Sequence, residues 1–460
     1  MINTFNYPII FMVFSMGFLI PSPVKGGEEK LLITNVNIID VKSGDIKKNV
    51  SIWIKDDQIV KIGNSNSKTP IQSHKDVDGK GGFIIPGLWD LHAHLVITGP
   101  EYGLPMYLKY GVLGIRDMGW GPELDPIILR DKINSDKILG PKMFVAGPIL
   151  DGDTNDYPYR IRLSTPEDVV PTLKKLKSIG VDFIKVHASL PKNIYLKIAK
   201  EVKLLGLRFE GHVPRSITAA EASDAGQSTL EHMIMDWCQF TEVKDENGEI
   251  KGQCNDQKVL NLIDKLKKNG TWLVPPMSVY HSGFDTIVTN SSSFQKLIDE
   301  ADSRTGKHPI NQQTIEGWKL QYEVSKQFSP PEDQLKTLTK NQWYLMKKML
   351  KLVSDSGVKI MTGTDSGYLG VYPGISTHIE MEVMVEAGVT PLKALQSATI
   401  NPIEYFGLEN EMGSITAGMK ANFLLLEKNP LLNISNTQTI KAIILNGKIS
   451  APEDHIVDIN

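Results

Sequence analysis

The segment from about Pro86 to Pro402 alternates short apolar runs with amphipathic stretches, and this alternation constrains the fold most. Several amphipathic stretches end at a glycine, as helices often do. Eight successive strand–helix units predict a closed parallel (β/α)8 TIM barrel, an α/β fold, with an open doubly wound sheet as the alternative. The eight candidate strands are Gly87–His94, Val112–Asp117, Lys142–Ala146, Phe183–His187, Arg208–His212, Ser228–His232, Trp272–Pro275 and Lys359–Thr364.

The two ends of the chain show a different pattern, with short β-branched runs separated by turn residues. Such runs lie at Leu32–Asp40 and Ser51–Ile62, and again at Asn422–Leu426 and Ala442–Leu445. We therefore predict that residues 27–85 and 411–460 meet in one small β domain, with the barrel over residues 86–410. The long connection 277–358, between the seventh and eighth strands, is predicted to be a functional insertion.

The N-terminus carries an apolar run, Tyr7–Ile20, followed by turn-forming residues. It is short for a membrane span but typical of a signal peptide, which we expect to cover residues 1–26; an uncleaved anchor is the alternative. The protein is therefore predicted to be exported, periplasmic or secreted, with no stable membrane span after cleavage. The two cysteines, Cys238 and Cys254, are either a disulfide or two thiols.

The formal net charge of −3 leaves no basic footprint for nucleic acid and no polybasic patch for anionic lipid. Composition thus excludes those partners and indicates an ordinary globular protein.

Candidate metal ligands stand at the ends of the predicted strands. His92 and His94 end the first strand, and residues two apart on a strand face the same side. His212 ends the fifth strand, His232 ends the sixth, and Asp365 follows the eighth. Because the carboxyl ends of barrel strands meet at one mouth, where active sites lie, these side chains are predicted to converge on a metal site.

Other residues near the predicted mouth are candidates for substrate binding. His187 is predicted to donate a hydrogen bond to substrate or to stand in the wall. Arg116 would clamp a substrate carboxylate or pair with Asp117 in the barrel wall. Tyr280 would contact a carboxylate or the scissile carbonyl, or pack within its loop.

The motifs in combination resemble the amidohydrolase superfamily, within it the imidazolonepropionase-like and Xaa-Pro or Xaa-Arg dipeptidase-like branch. The resemblance extends over nearly the whole mature chain and implies a barrel with a β-sandwich formed by both termini. The matching segments are Ile85–Gly87 with His92–His94, Gly111–Asp117, Gly180–Lys185, Gly211–His212, Leu230–His232, Gly363–Ser366, Ala394–Pro402 and Gly413–Gly418.

The resemblance implies two divalent metal ions, for which zinc is the expected metal. His92, His94 and Asp365 would hold one ion, and His212 with His232 the other. Lys185, carboxylated by CO₂, would bridge them as an anionic carbamate. His378 and Glu380 occupy the place of a His-x-Glu pair that we interpret as supporting the site.

These parts together predict hydrolysis of the C–N bond of a small amide or peptide, such as a dipeptide or an N-acyl compound, by a metal-activated hydroxide. Asp365 is predicted to be the general base. The alternatives are a mononuclear cyclic-amide hydrolase of the imidazolonepropionase kind, against which Lys185 argues, and a barrel that binds without catalysing. The exact substrate, the metal and the oligomeric state, a homo-oligomer included, stay open at this stage.

Overall fold

The computed structural model of the chain describes residues 30–64, 75–119, 125–153, 160–232, 241–244, 250–253, 256–285, 291–299, 310–326 and 332–455. The predicted signal segment 1–26 lies outside these ranges, as do Cys238 and Cys254. Among the described helices, none combines the length and the apolar character that crossing a membrane requires.

Both ends of the chain contribute to one seven-stranded sheet, as the end patterns predicted. Its order is β18-β17-β16-β4-β1-β2-β3. Its apolar core includes Ile33, Ile52, Ile84, Phe423 and Ile444, all fully buried. The N-terminal strands are β1 (Lys30–Ile39), β2 (Ile46–Lys55), β3 (Gln58–Asn64) and β4 (Lys75–Pro86), and the C-terminal strands are β16 (Phe423–Leu426), β17 (Ile440–Leu445) and β18 (Lys448–Ser450).

The middle of the chain forms parallel strands in two sheets, with the orders β5-β6-β7 and β15-β12-β11-β10-β8-β9. A separate hairpin pairs β13 with β14. The strands are β5 (Leu88–Ala93), β6 (Val112–Asp117), β7 (Lys142–Val145), β8 (Ile149–Asp151), β9 (Arg160–Arg162), β10 (Ile184–Val186), β11 (Phe209–Gly211), β12 (Thr229–Glu231), β13 (Thr241–Lys244), β14 (Ile250–Gln253) and β15 (Trp272–Val274). Seven of the eight predicted barrel strands are therefore strands, with ends that agree or differ by one residue.

The eighth predicted strand, Lys359–Thr364, is extended but has only an isolated bridge to its neighbour β15. Its backbone nevertheless joins the two sheets. Met361 N donates to Leu273 O at 2.9 Å on one side, and Leu91 N donates to Thr362 O at 2.8 Å on the other. At the opposite seam Asp182 N donates to Val145 O at 2.9 Å. Eight extended segments thus surround one apolar core, joined where the two sheets meet by a few individual hydrogen bonds rather than by continuous ladders.

Helices connect the parallel strands and cover them, because their buried faces carry the apolar residues of the same core. The α-helices of the described chain are α1 (Leu95–Thr98), α2 (Pro100–Lys109), α3 (Asp125–Asn134), α4 (Val169–Ile179), α5 (Lys192–Leu204), α6 (Ala219–Asp224), α7 (Asp256–Asn269), α8 (Met277–Asp285), α9 (Ser291–Asp299), α10 (Gln312–Lys326), α11 (Glu332–Ser356), α12 (Ile375–Glu386), α13 (Pro391–Ser397) and α14 (Ile400–Phe406). Short 3-10 helices lie at Pro166–Asp168, Ile434–Gln438 and Pro452–His455. Helices α8 to α11 occupy the predicted insertion.

Candidate metal centre

The histidines at the strand ends and Asp365 converge at one point. The ring centroids of His92 and His232 are 4.9 Å apart, and those of His212 and His232 are 4.6 Å apart. Asp365 Oδ1 lies 2.9 Å from His94 Nε2 and 3.6 Å from His92 Nε2, while its Oδ2 lies 3.8 Å from His232 Nε2. The tertiary structure therefore brings together all five side chains that the strand ends indicated.

Two overlapping triads have geometry that would suit a metal ion. Ligand atoms of His92, His94 and Asp365 lie within 4.8 Å of one another, and so do those of His92, His212 and His232. Lys185 Nζ lies 3.5 Å from His92 Nε2, beside both triads. His92 stands between the triads, whereas the family pattern assigns it to one ion only.

Backbone strain accompanies two of these side chains. His232 and Asp365 both have a φ of 65°, a left-handed conformation that costs non-glycine residues on the order of 1–3 kcal/mol. Such strain persists only where the surroundings impose it, and it concentrates at functional sites. The turns after β12 and after the eighth extended segment aim these two side chains at the centre.

The Nδ1 atoms of His92 and His94 each lie within hydrogen-bond distance of an acceptor. His92 Nδ1 lies 2.8 Å from Glu231 Oε2, and His94 Nδ1 lies 2.8 Å from the carbonyl oxygen of Gly119. An Nδ1–H donated in this way leaves the Nε2 lone pair free to bind a metal, as metal-ligating histidines commonly do. His232 Nε2 is buried and has no hydrogen-bond partner among the described residues, so a bound ion would satisfy it. The donor set fits a divalent metal.

Burial keeps three of the histidines, His92, His212 and His232, neutral. Burial lowers the pKa of His232 to about 4 and lowers the pKa values of His92 and His212 well below the usual value. Burial alone would raise the pKa of Asp365, but its hydrogen bond with His94 and nearby positive charges outweigh that effect and lower it. Neutral imidazoles beside an ionised carboxylate are the protonation states that metal binding needs.

Two buried aspartates that the sequence did not single out fix the backbone around the centre. Asp90 accepts hydrogen bonds from His92 N at 3.1 Å, Thr364 N at 3.0 Å and Thr364 Oγ1 at 2.6 Å. It therefore ties β5 to the segment that carries Asp365. Asp117 accepts from Leu95 N and Gly119 N, both at 2.9 Å, and so holds the turn after His94. The available signal was a charged residue within an apolar strand.

Arg116 stands in the barrel wall and not at the mouth, so it does not reach substrate as a carboxylate clamp. Its side chain is fully buried and forms ion pairs with Glu210 at 2.5 Å and Glu231 at 2.8 Å, while its Nε donates to Leu91 O at 2.6 Å. The wall position was one of the two predicted outcomes, but the partners are these glutamates and not Asp117. Arg116 thereby anchors the carboxylate that holds His92.

His187 borders the centre, with its ring centroid 4.3 Å from that of His212. Its Nδ1 lies 2.9 Å from Asp151 Oδ2, and burial lowers its pKa to about 4. A neutral His187 that donates Nδ1–H to Asp151 presents a lone pair at Nε2, so it accepts rather than donates there. Arg160, which the sequence did not indicate, lies 3.5 Å from that nitrogen and pairs with Asp151 at 2.7 Å.

Tyr280 lies on helix α8 with its ring centroid 6.4 Å from that of His232. The start of α8 is held by Glu380, whose carboxylate accepts from Met277 N at 2.9 Å and Ser278 N at 2.6 Å. His378 contacts Thr437 Oγ1 at 2.8 Å and the Tyr110 carbonyl at 2.9 Å, away from the centre. Glu380 thus supports the site through the helix that carries Tyr280, whereas His378 ties the barrel to the C-terminal segment.

The fold and the centre define a barrel protein with a histidine–carboxylate site at the ends of its strands. Residues 346–450 match the amidohydrolase family. A crystal structure of a Xaa-Pro dipeptidase with methionine bound in its active site has the same fold, with a TM-score of 0.66 and 21% identity over 92% of this chain and 100% of that one. The match over residues 346–450 and the shared fold agree with the resemblance to the amidohydrolase superfamily that the motifs indicated.

Curated relatives include adenine deaminases. The enzyme of Roseobacter denitrificans is 31% identical over 118 residues, which are 25% of this chain and 18% of that protein. The enzyme of Desulforamulus reducens is 24% identical over 434 residues, 93% of this chain and 59% of that protein. The chain therefore spans less than two thirds of the length of these relatives.

Proposed function

We propose that the protein is a metal-dependent hydrolase that cleaves a C–N bond of a small amide or peptide, such as a dipeptide or an N-acyl compound. The observation that carries the proposal is the convergence of four histidines and the ionised Asp365 on one point. Asp365 has 11% of its side chain exposed, so the centre is buried without being sealed.

The residues at the centre would hold two ions, with zinc as the expected metal. On the family pattern, His92, His94 and Asp365 would bind one ion, and His212 with His232 the other. Because His92 belongs to both triads, the two ion sites would lie close together. When bound, the metal would lower the pKa of water and polarise the substrate carbonyl.

Lys185 would bridge the ions as a carbamate. It is 1% exposed, and burial lowers its pKa to about 8, which raises the fraction of neutral amine available to react with CO₂. A charged ammonium 3.5 Å from His92 Nε2 would repel a cation, whereas a carbamate would attract it. An unmodified Lys185 would fit a single ion, as in the mononuclear alternative.

Asp365 would act as the general base. Its lowered pKa keeps the carboxylate ionised, so that it can accept a proton at an oxygen and deliver the proton to the leaving nitrogen. Asp365 Oδ1 lies 2.9 Å from His94 Nε2, as two ligands of one ion can, and His187 and Tyr280 border the space where substrate would lie.

The first test is metal and carbamate content together with one variant pair. We expect close to two ions per chain and an isotope-labelled carbamate on Lys185 after exposure to labelled bicarbonate. Asp365→Asn should remove turnover without unfolding the protein, while Asp355→Asn, at an exposed surface pair with Lys351, should leave turnover unchanged. One ion with a plain lysine would contradict the binuclear site, and full turnover in Asp365→Asn would exclude it as the base.

The substrate test is a panel of dipeptides, N-acyl amino acids, cyclic amides and adenine against metal-loaded protein. Turnover of peptides or N-acyl compounds would support the proposal. Turnover restricted to cyclic amides would favour the mononuclear alternative, turnover restricted to adenine would favour a deaminase, and silence on the whole panel would favour a binding protein.

We also propose export to the periplasm or the medium, on the strength of the Tyr7–Ile20 run. N-terminal sequencing of the mature protein should find it beginning after Gly26.

A further inference from the structure

Helix α10 (Gln312–Lys326), in the insertion between the seventh and eighth barrel segments, contacts two segments that begin directly after candidate ligands. One is the loop after Asp365, and the other is the short helix α1 (Leu95–Thr98) after His94. The two segments are joined where they begin, since His94 N donates to Ser366 O at 3.0 Å. A single helix outside the barrel therefore touches the backbone on both sides of the His94–Asp365 contact.

Gln321 holds the loop after Asp365 through both ends of its amide. Its Nε2 donates to Gly367 O at 3.1 Å, and its Oε1 accepts from Leu369 N at 2.8 Å. Trp318, one turn earlier on the helix, donates from Nε1 to the same Gly367 oxygen at 3.2 Å. A carboxamide suits this task because it offers a donor and an acceptor in one plane.

The N-terminal end of helix α10 holds the short helix α1, which follows His94. Gln313 Nε2 donates to Val96 O at 2.7 Å, and Asn311, just before the helix, donates from Nδ2 to Thr98 O at 2.8 Å. Val96 and Gly367 each lie two residues beyond a candidate ligand. Helix α10 therefore fixes the distance between the two segments as well as the position of each.

Apolar packing docks this helix without the amides. Trp318 is fully buried against Tyr372 and Ile375, in a cluster that also contains Leu297 and Ile310. The hydrogen bonds of Gln321 consequently add a fixed register to contacts that already hold the helix in place. That register bears on Asp365, whose left-handed backbone requires outside restraint.

We propose that helix α10 positions the metal centre, and that Gln321 is a positioning residue which holds Asp365 in its binding conformation. This inference rests on the proposed function in so far as Asp365 is a metal ligand. Without the clamp the loop from residue 366 to 372 samples other conformations, and the carboxylate leaves the position from which it contacts His94.

The test compares three variants of the full-length protein. Gln321→Ala removes both hydrogen bonds, whereas Gln321→Glu keeps an acceptor for Leu369 N but cannot donate to Gly367 O. Gln312→Ala is the matched control, because Gln312 is an exposed glutamine on the same helix whose amide donates to Glu316 at 3.1 Å. The measurements are hydrogen exchange of residues 366–372 in metal-free protein, and zinc retention against a chelator.

We expect Gln321→Ala to speed exchange at Leu369 and its neighbours at least tenfold and to weaken zinc retention by about 10- to 100-fold, the usual range for residues that orient ligands. Gln321→Glu should fall between Gln321→Ala and the parent, and it carries the test if Gln321→Ala does not fold. Gln312→Ala should match the parent in both measurements.

Unchanged exchange in Gln321→Ala, or equal zinc loss in Gln312→Ala, would overturn the proposal. If the parent protein binds no metal, the proposed function fails, while the exchange comparison in metal-free protein still decides whether Gln321 holds the loop. The two failures are therefore distinguishable.

Discussion

Glu231 Oε2 accepts a hydrogen bond from His92 Nδ1 at 2.8 Å, while its Oε1 accepts one from Arg116 at 2.8 Å. The guanidinium thus fixes the carboxylate, and the carboxylate fixes the tautomer and the direction of the imidazole. This buried chain from Arg116 to His92 connects the barrel wall to the metal centre.

Replacing Glu231 by Gln should weaken metal binding by about 10- to 100-fold, because the amide is a poorer acceptor for His92 Nδ1–H. Titration of metal-free protein with zinc measures the change. Glu210→Gln is the control, since Glu210 pairs with the same Arg116, whereas Glu231 is the carboxylate that holds His92 Nδ1. An equal loss in both variants would mean that Arg116, and not the His92 contact, determines the affinity.

Gly363→Ala should reduce turnover about 100-fold, the cost expected when a site residue moves by about 1 Å. A Cβ at this position would lie 2.4 Å from Val274 Cγ1 and 2.8 Å from His92 Cβ, so one of these residues must shift. Gly206→Ala is the comparison, because it strains a φ of +66° but meets nothing within 4 Å. It should lower stability and spare turnover. Full turnover in Gly363→Ala would show that Val274 shifts and that His92 keeps its position.

Glu380 should make stability depend on pH. Burial raises its pKa from the usual 4.5 to about 8, so the folded state favours the protonated form. The stability that this preference contributes is fully present below about pH 4.5 and is lost as the pH rises through about 8, by an amount on the order of a few kcal/mol.

Chemical unfolding at about pH 5 and about pH 8 tests this expectation. The unfolding free energy of the parent should fall between these two pH values by more than that of Glu380→Gln, because glutamine does not titrate. Glu386→Gln, at an exposed position on the same helix, should keep the slope of the parent. A slope that survives in Glu380→Gln would assign the effect to another buried acid such as Asp90, whose pKa burial raises to about 7.

Metal removal should lower thermal stability, because an ion that binds only the folded state stabilises it. At a free zinc concentration 100 times the dissociation constant the gain is about 2.7 kcal/mol. Thermal melts with chelator and with restored zinc measure this gain. The gain in thermal stability at the same zinc concentration should be smaller for His232→Ala. A melting temperature that does not change with chelator would count against a resident metal.

The sequence predicted the elements that depend on local pattern. Seven of the eight barrel strands are present, because short apolar runs between amphipathic helices have few other ways to bury their surface. The candidate ligands at the ends of those strands also meet as predicted, since parallel strands in a barrel place their carboxyl ends at one mouth. Their positions at the ends of strands were sufficient to predict the triad of His92, His94 and Asp365.

Only the tertiary structure decided which partners hold those ligands. Arg116 pairs with Glu210 and Glu231 rather than with its neighbour Asp117, and Gln321 reaches across from the insertion to Gly367 and Leu369. Such contacts join residues far apart in sequence, and their choice depends on side-chain directions that no local period encodes. The strand pattern by itself therefore determined the barrel and the meeting point of the ligands, whereas three-dimensional packing alone determined how rigidly each ligand is held.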